Sequence, residues 1–196
     1  MILLALALSA CGQAQGSQAE QLALEIRGEY LDMQGCTARA ELTADYGQRV
    51  YQYTVDFSYV RDGERVMTLA APENVAGVTA RLDGESAVLE FDGTRLETGP
   101  LGEHGISPVQ APDTLLAYAR EGFMAECGME EQEEAAVLAV VCRDPKVSAG
   151  TGEEVTLWFD PDTHALLRGE ISQDGFTVIQ CEFTQFQAIL GSEQGE

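Results

Sequence analysis

The chain has 196 residues, which is enough for one domain with a sizeable core and too short for two large domains. Its 11 Lys and Arg residues against 33 Asp and Glu residues give a net charge of −22, which would repel nucleic-acid phosphates and excludes DNA and RNA binding. The hydrophobic fraction of 45% is typical of a globular chain, and no apolar run reaches the roughly 20 residues of a membrane-spanning helix.

The first ten residues, MILLALALSA, form an uncharged apolar stretch that is typical of an export signal. Residues 8–11, Leu-Ser-Ala-Cys, resemble the lipobox of bacterial lipoproteins, in which the cysteine is acylated and becomes the mature N-terminus. The resemblance implies a signal peptide at residues 1–10, acyl chains such as palmitate on Cys11, and a polar tether at residues 11–17. It places the domain on the extracytoplasmic face of the cell membrane, with its covalent lipid as the contact to the membrane. No Lys or Arg precedes the apolar stretch, so we expect the true start to lie upstream; the alternative is a short helix or tail with an ordinary cysteine.

Two periodicities follow the tether. Residues 18–33 place apolar side chains at spacings of three and four, which predicts an amphipathic helix. Apolar and polar residues alternate over residues 37–46 and 51–59, which predicts two half-buried strands. The second strand has an aromatic-rich face that consists of Tyr51, Tyr53, Val55, Phe57 and Tyr59.

Four Asp-Gly pairs separate strand-like runs, and such pairs tolerate the positive φ values of tight hairpins. The pattern therefore predicts an antiparallel meander of about nine strands. The further candidate strands are residues 65–71, 77–82, 87–91, 136–143, 154–160, 165–173 and 176–186.

A second helix is predicted at residues 112–124, which begin with a Pro and an Asp in the first turn. Its apolar stripe consists of Leu115, Leu116, Ala119 and Phe123. The preceding residues 99–111 contain several Gly and Pro residues and predict a loop that crosses the sheet. We expect one domain over residues 18–190 and a disordered tail at residues 191–196.

No motif of nucleophilic, nucleotide or zinc chemistry is found in the sequence. The two histidines, His104 and His164, lie in different loops, and neither has a Cys or His at ligand spacing. Residues 160–164 begin like a calcium loop but lack its Gly and terminal Glu, so we expect a hairpin turn there. The glutamates at 130, 131, 133 and 134 predict a solvated loop, with a metal-collecting or partner surface as the alternative. We expect no enzyme, no metal and no other cofactor.

Four cysteines remain besides Cys11, and they allow three complete pairings in an exported protein. One pairing joins Cys127 to Cys142 and Cys36 to Cys181. The alternative is that all four are buried free thiols that act as small hydrophobic side chains.

The order of a helix, a long meander, a crossing helix and final hairpins is similar to the LolA/LolB-like fold of bacterial lipoprotein carriers. Residues 155–170, VTLWFDPDTHALLRGE, resemble that family's strand–turn–strand signature, in which a Trp-containing strand meets an Asp-x-x-Thr turn. The resemblance implies an α+β fold: a strongly curved antiparallel sheet, an incomplete barrel, wrapped around two helices. It also implies an apolar cavity that shelters acyl chains or docks a partner.

The chain also resembles LolA-like lipoproteins of spore-forming Firmicutes, including the clostridial germination lipoprotein, which supports a cell-wall amidase. Two functions follow: binding of a lipid or lipoprotein acyl chain, or an adaptor role toward an exported protein such as a cell-wall hydrolase in sporulation or germination. We expect a monomer in either case. The candidate ligand-binding residues are Tyr51, Tyr53, Phe57 and Tyr59 on the sheet and Leu116 and Phe123 on the second helix; the alternative is that these side chains are ordinary core.

Overall fold

The computed structural model describes residues 11–84, 86–101, 106–132 and 135–191, and for residues 11–17 it describes the backbone alone. The predicted signal peptide at residues 1–10 and the predicted tail from residue 192 lie outside the described residues. The helices are α1 (Cys11–Asp32) and α2 (Ala111–Glu121). The strands are β1 (Met33–Asp45), β2 (Val50–Val60), β3 (Arg65–Ala71), β4 (Thr79–Asp83), β5 (Ser86–Phe91), β6 (Thr94–Pro100), β7 (Met124–Gln132), β8 (Ala135–Arg143), β9 (Glu153–Phe159), β10 (Leu166–Gln173) and β11 (Phe176–Leu190).

The strands form one antiparallel sheet in the order β6-β5-β4-β3-β2-β1-β11-β10-β9-β8-β7. The chain starts at the centre with β1, runs outward to β6, crosses with α2 to β7 and returns to the centre as β11. Among the described residues, β6 and β7 have a strand partner on one side only, so the sheet is open. The predicted α+β fold, an unclosed curved sheet with two helices, is confirmed, with eleven strands instead of about nine.

Both helices pack chiefly on one half of the sheet. Helix α1 contacts β7, β8 and α2, whereas α2 contacts β9, β10 and β11. We call β7–β11 the covered half and β2–β6 the uncovered half, with β1 between the covered and uncovered halves. The predicted apolar stripe of α1 is buried, with Ala23, Ile26 and Tyr30 each no more than 3% exposed.

A glycine allows α2 to approach the covered half closely. A Cβ atom at Gly169 on β10 would lie 2.6 Å from the Leu115 side chain, which is fully buried on α2. The absence of a side chain at residue 169 therefore sets the distance between this helix and the sheet.

Two strands lie where the sequence does not predict them. Strand β7 occupies residues that the sequence assigns to the end of the second helix and to a solvated loop, and β6 overlaps the start of the predicted crossing loop. The loop prediction is wrong at Glu130 and Glu131, because these residues pair with Val137 and Ala136 of β8. Glutamates 133 and 134 lie outside the described residues.

Helix α2 ends at Glu121, which is earlier than predicted. Gly122 is extended, with φ −60° and ψ 142°, and its N–H donates to the Tyr118 carbonyl oxygen at 2.9 Å. Phe123 therefore lies beyond the helix and is 54% exposed, so its predicted place on the apolar stripe is wrong.

The four described cysteine side chains are free thiols, so the structure contains neither predicted disulfide. Cys181 lies opposite Leu42 of β1, six positions along the strand from Cys36 (42 − 36 = 6), or about 20 Å at about 3.3 Å per residue. Cys127 and Cys142 lie on paired strands but not opposite each other. Burial raises the pKa of the Cys36 and Cys181 thiols to about 12, which keeps both thiols protonated and unreactive.

Helix α1 begins at Cys11, so the backbone of the predicted tether at residues 11–17 is part of this helix. The acylation of Cys11 stays a prediction. Neither helix, in the part of the chain that the structure describes, combines the length and the apolarity needed to cross a membrane.

Candidate ligand-binding cavity

An apolar cavity of about 140 Å³ lies on the inner side of the uncovered half. Strands β1–β5 form its walls, and the segment before α2 forms its roof. The lining residues are Leu42, Tyr53, Val55, Met67, Leu69, Val78, Ala80, Leu89, Pro108 and Val109.

The strand registers explain why space remains here. Val55 of β2 lies opposite Leu69 of β3, and Ala80 of β4 lies between Met67 of β3 and Leu89 of β5. The small Ala80 side chain separates two long side chains, and neither helix packs its apolar stripe against these strands. The inner face of this half is therefore apolar but incompletely filled.

A row of tyrosines leads from the cavity to its roof. The ring of Tyr53, which lines the cavity, stacks on Tyr51 at 6.4 Å between centroids, and Tyr51 meets Tyr46 edge-on at 6.3 Å. The Tyr46 hydroxyl donates a hydrogen bond to the Ile106 carbonyl oxygen at 2.9 Å, close to the roof. Burial raises the pKa of Tyr46, which keeps this hydroxyl protonated as a donor. The roof is thus held to the sheet through one aromatic side chain.

Polar contacts attach α2 to the strands beside the cavity. The Arg65 guanidinium on β3 lies 3.3 Å from the Asp113 carboxylate in the first turn of α2. Arg120 near the end of α2 donates to the Tyr59 hydroxyl at 2.7 Å and lies over the Tyr59 ring. Burial raises the pKa of Asp113, and the nearby guanidinium groups of Arg65 and Arg120 oppose this effect by favouring the carboxylate anion.

The structure brings one of the six predicted ligand-binding residues into the cavity wall. Tyr53 lines the cavity, and Tyr51 lies at its rim with 39% of its surface exposed. The structure places the remaining four elsewhere: Phe57, Tyr59 and Leu116 are buried in the main core, and Phe123 is exposed beyond α2.

Val78, Pro108 and Val109 of the lining lie outside the strands, and the other lining residues besides Tyr53 are ordinary apolar strand residues. Their period-two alternation predicts an inner face, but it does not distinguish a filled inner face from a hollow one. Only the three-dimensional placement of the helices, which leaves this half uncovered, marks them as a site.

A larger recess of about 310 Å³ lies against the polar face of β1–β3. It includes the Arg39–Asp56 ion pair, whose nitrogen and oxygen are 2.7 Å apart, and both side chains are more than 40% exposed. Its exposed ion pair and its mixed polar and apolar lining do not suit a fully apolar ligand, so we consider the smaller inner cavity the candidate site.

No protein-family model matches the chain, and no curated protein matches it. Among solved structures, an uncharacterized conserved protein from Thermus thermophilus is similar, at 11% identity and a TM-score of 0.49 over 90% of this chain and 91% of that chain. A LolA superfamily protein from Nitrosomonas europaea is 8% identical, with a TM-score of 0.40 over 86% of this chain and 92% of that chain. One chain in the structure of the CwlD amidase with the GerS lipoprotein from Clostridioides difficile is 12% identical, with a TM-score of 0.42 over 94% and 99% of the two chains. A LolA superfamily protein is therefore among the solved structures to which this chain is similar.

Proposed function

We propose that this chain is an extracytoplasmic binding protein whose cavity shelters an apolar ligand, such as the acyl chain of a lipid or lipoprotein. The observation that carries the proposal is the cavity on the uncovered half, whose walls are apolar except for the Tyr53 hydroxyl. Hydrocarbon groups enter such dry cavities because no ordered water has to be displaced from polar partners. The proposal includes no chemical reaction.

The size of the cavity indicates how binding proceeds. A volume of about 140 Å³ is close to the roughly 150 Å³ of a cavity that holds one benzene molecule, which is less than a long acyl chain requires. A longer ligand needs the roof at Pro108 and Val109 to move away from the sheet. The Tyr46–Ile106 hydrogen bond is the polar contact that has to break for this opening. A net hydrogen bond contributes only about 1 kcal/mol, so ligand burial can offset its loss.

The cavity assignment is tested with a pair of variants that carry the same substitution. Val78→Phe adds a ring to the cavity wall, whereas Val60→Phe adds a ring at an exposed position at the end of β2. The purified proteins are exposed to a membrane lipid extract and weighed by native mass spectrometry. We expect a retained lipid mass on the original protein and on Val60→Phe, and its loss on Val78→Phe with an unchanged melting temperature. Equal lipid retention by both variants would contradict the cavity assignment.

The proposed membrane anchor is separate from the cavity. We propose that Cys11 carries the lipid, on the basis of the resemblance of residues 8–11 to a lipobox. Cys11→Ala is expected to release the protein into the soluble fraction and to abolish metabolic labelling with palmitate. Unchanged membrane retention would exclude this anchor without affecting the cavity.

The net charge of −22 favours a second function, that of an anchored adaptor for an exported basic protein such as a cell-wall hydrolase. A lipid cavity does not need such a charge, whereas a basic partner would be attracted by it. If the original protein keeps no lipid in the mass measurement, this adaptor becomes the preferred function. A partner captured by the immobilised protein should then be released by moderate salt.

A further inference from the structure

Three potential metal ligands meet on the covered half, away from the cavity. Glu25 and Glu29 lie one turn apart on α1, and His164 lies in the turn between β9 and β10. The His164 Nδ1 atom is 2.9 Å from the Glu29 Oε1 atom, and one ligand atom of each of the three residues lies within 4.8 Å of those of the other two. Residues that are far apart in the sequence therefore converge on one point.

The local structure fixes the backbone at His164. His164 adopts a positive φ of 58°, and its carbonyl oxygen accepts a hydrogen bond from the Tyr30 hydroxyl at 3.1 Å. The Asp160 carboxylate accepts the backbone N–H groups of Asp162 and Thr163 at 2.9 and 2.8 Å, which orders the turn before His164. The imidazole is 16% exposed, so one edge is packed and the ligand cluster remains reachable from solvent.

The cluster contains more negative charge than a simple ion pair would have. Two carboxylates face a single imidazole, and across the described ranges no Lys or Arg nitrogen lies within 4 Å of Glu25 or Glu29. Two carboxylates balance the charge of a divalent cation, and the net charge of −22 raises the local concentration of cations. An imidazole nitrogen beside carboxylate oxygens favours Zn²⁺ and related transition metals over Mg²⁺ and Ca²⁺, which prefer all-oxygen sites.

We propose that Glu25, Glu29 and His164 bind one divalent transition-metal ion of the Zn²⁺ type. Three protein ligands leave a fourth position for water. The ion joins α1 to the β9–β10 turn, beside the Tyr30 hydrogen bond that already connects them. Its binding would hold α1 on the covered half, and this inference does not depend on the proposed ligand cavity.

The test uses purified, metal-stripped protein titrated with Zn²⁺ against a chromophoric chelator, with the stoichiometry and affinity as readouts. We expect one Zn²⁺ per chain and a higher melting temperature in its presence. Glu25→Gln changes an exposed carboxylate that takes part in no described ion pair, so it should fold normally and weaken Zn²⁺ binding roughly tenfold or more. Glu20→Gln, on the same helix but outside the cluster, is the matched control and should bind as the original protein does.

A second readout identifies the ligand atom directly. The chain has two histidines, so NMR of protein labelled with ¹⁵N-histidine shows one set of imidazole resonances for His164 and one for His104. The His104 resonances serve as an internal reference. Zn²⁺ should shift the Nδ1 resonance of His164 and leave the His104 resonances in place. Zn²⁺ binding that persists unchanged in Glu25→Gln, a response at His104 alone, or no binding at all would overturn the proposal. Cys127→Ser excludes the half-buried Cys127 thiol as the source of the signal; loss of binding in that variant would also overturn the proposal.

Discussion

The two halves of the sheet have similar strand patterns, but their inner faces are filled to different degrees. The covered half carries both helices, and its inward side chains, such as Leu138, Leu157 and Ile171, are fully buried. The uncovered half meets the short roof before α2 and polar side chains of α2, and it retains a cavity of about 140 Å³. Alternation of apolar residues therefore creates an inner face in both halves, and helix packing decides whether that face is filled or retains a cavity.

The difference in packing predicts different contributions of the two halves to the free energy of unfolding and to ligand binding. A close-packed region loses stability with every removed methylene group, whereas a region that already contains a cavity has less packing to lose. We therefore expect the covered half to determine the free energy of unfolding and the uncovered half to determine binding.

The largest expected effect comes from truncating the same residue type in each half. Leu157→Ala removes a fully buried side chain of β9 and should lower the free energy of unfolding by about 2–5 kcal/mol. Leu89→Ala removes a partly buried side chain beside the cavity, and its cost should be less than half as large. Urea denaturation of the two variants measures the difference. Equal losses would show that the two halves are packed alike.

A smaller effect is expected where α2 touches the sheet. Gly169→Ala places a methyl group 2.6 Å from the Leu115 side chain, which is surrounded by core and cannot move aside. The resulting overpacking should cost about 1–3 kcal/mol. Gly128→Ala on the edge strand β7 is the matched control, because a Cβ atom there meets nothing within 4 Å. Thermal unfolding in which both variants behave alike would contradict the close docking of α2.

The smallest of the three effects has a predictable pH dependence. The backbone N–H groups of Thr163 and Asp162 hold the pKa of Asp160 below its usual value. The carboxylate therefore stabilises the folded protein above the unfolded pKa of about 3.9, and this contribution is lost as the pH falls through the lower folded pKa. Asp160→Ala should cost roughly 1 kcal/mol at neutral pH, as for a lost capping carboxylate. Its deficit relative to the original protein should shrink in acid; a deficit that is independent of pH would exclude this role of the carboxylate.

The sequence predicts the elements with strong periodicity and misses those without it. Strand β3 is predicted with the observed bounds, and the apolar stripe of α1 is confirmed by its burial. Strands β6 and β7 are sheet edges without a buried side chain, so their sequences lack the alternation that burial imposes.

The candidate sites could not be predicted in the same way. The cavity depends on which strands the helices leave uncovered, and the sequence does not encode this as a local pattern. The sequence prediction relied on aromatic side chains and therefore included Phe57 and Tyr59, which lie in the main core. The cavity wall consists mainly of aliphatic residues such as Leu69 and Leu89. Glu25 and Glu29 of the proposed metal site share one helix face at a spacing of four, but His164 becomes their neighbour only through the fold.

Ligand binding in the uncovered half is tested most directly by a titration of methyl-labelled protein with dodecanoic acid, followed by NMR. We expect shifts to concentrate at the cavity methyl groups, for example those of Leu69, Leu89 and Val109. The methyl groups of Leu138 and Leu157 in the covered half should remain unperturbed. Shifts that centre on the covered half, or no shifts at saturating ligand, would contradict the claim that the uncovered half is the binding site.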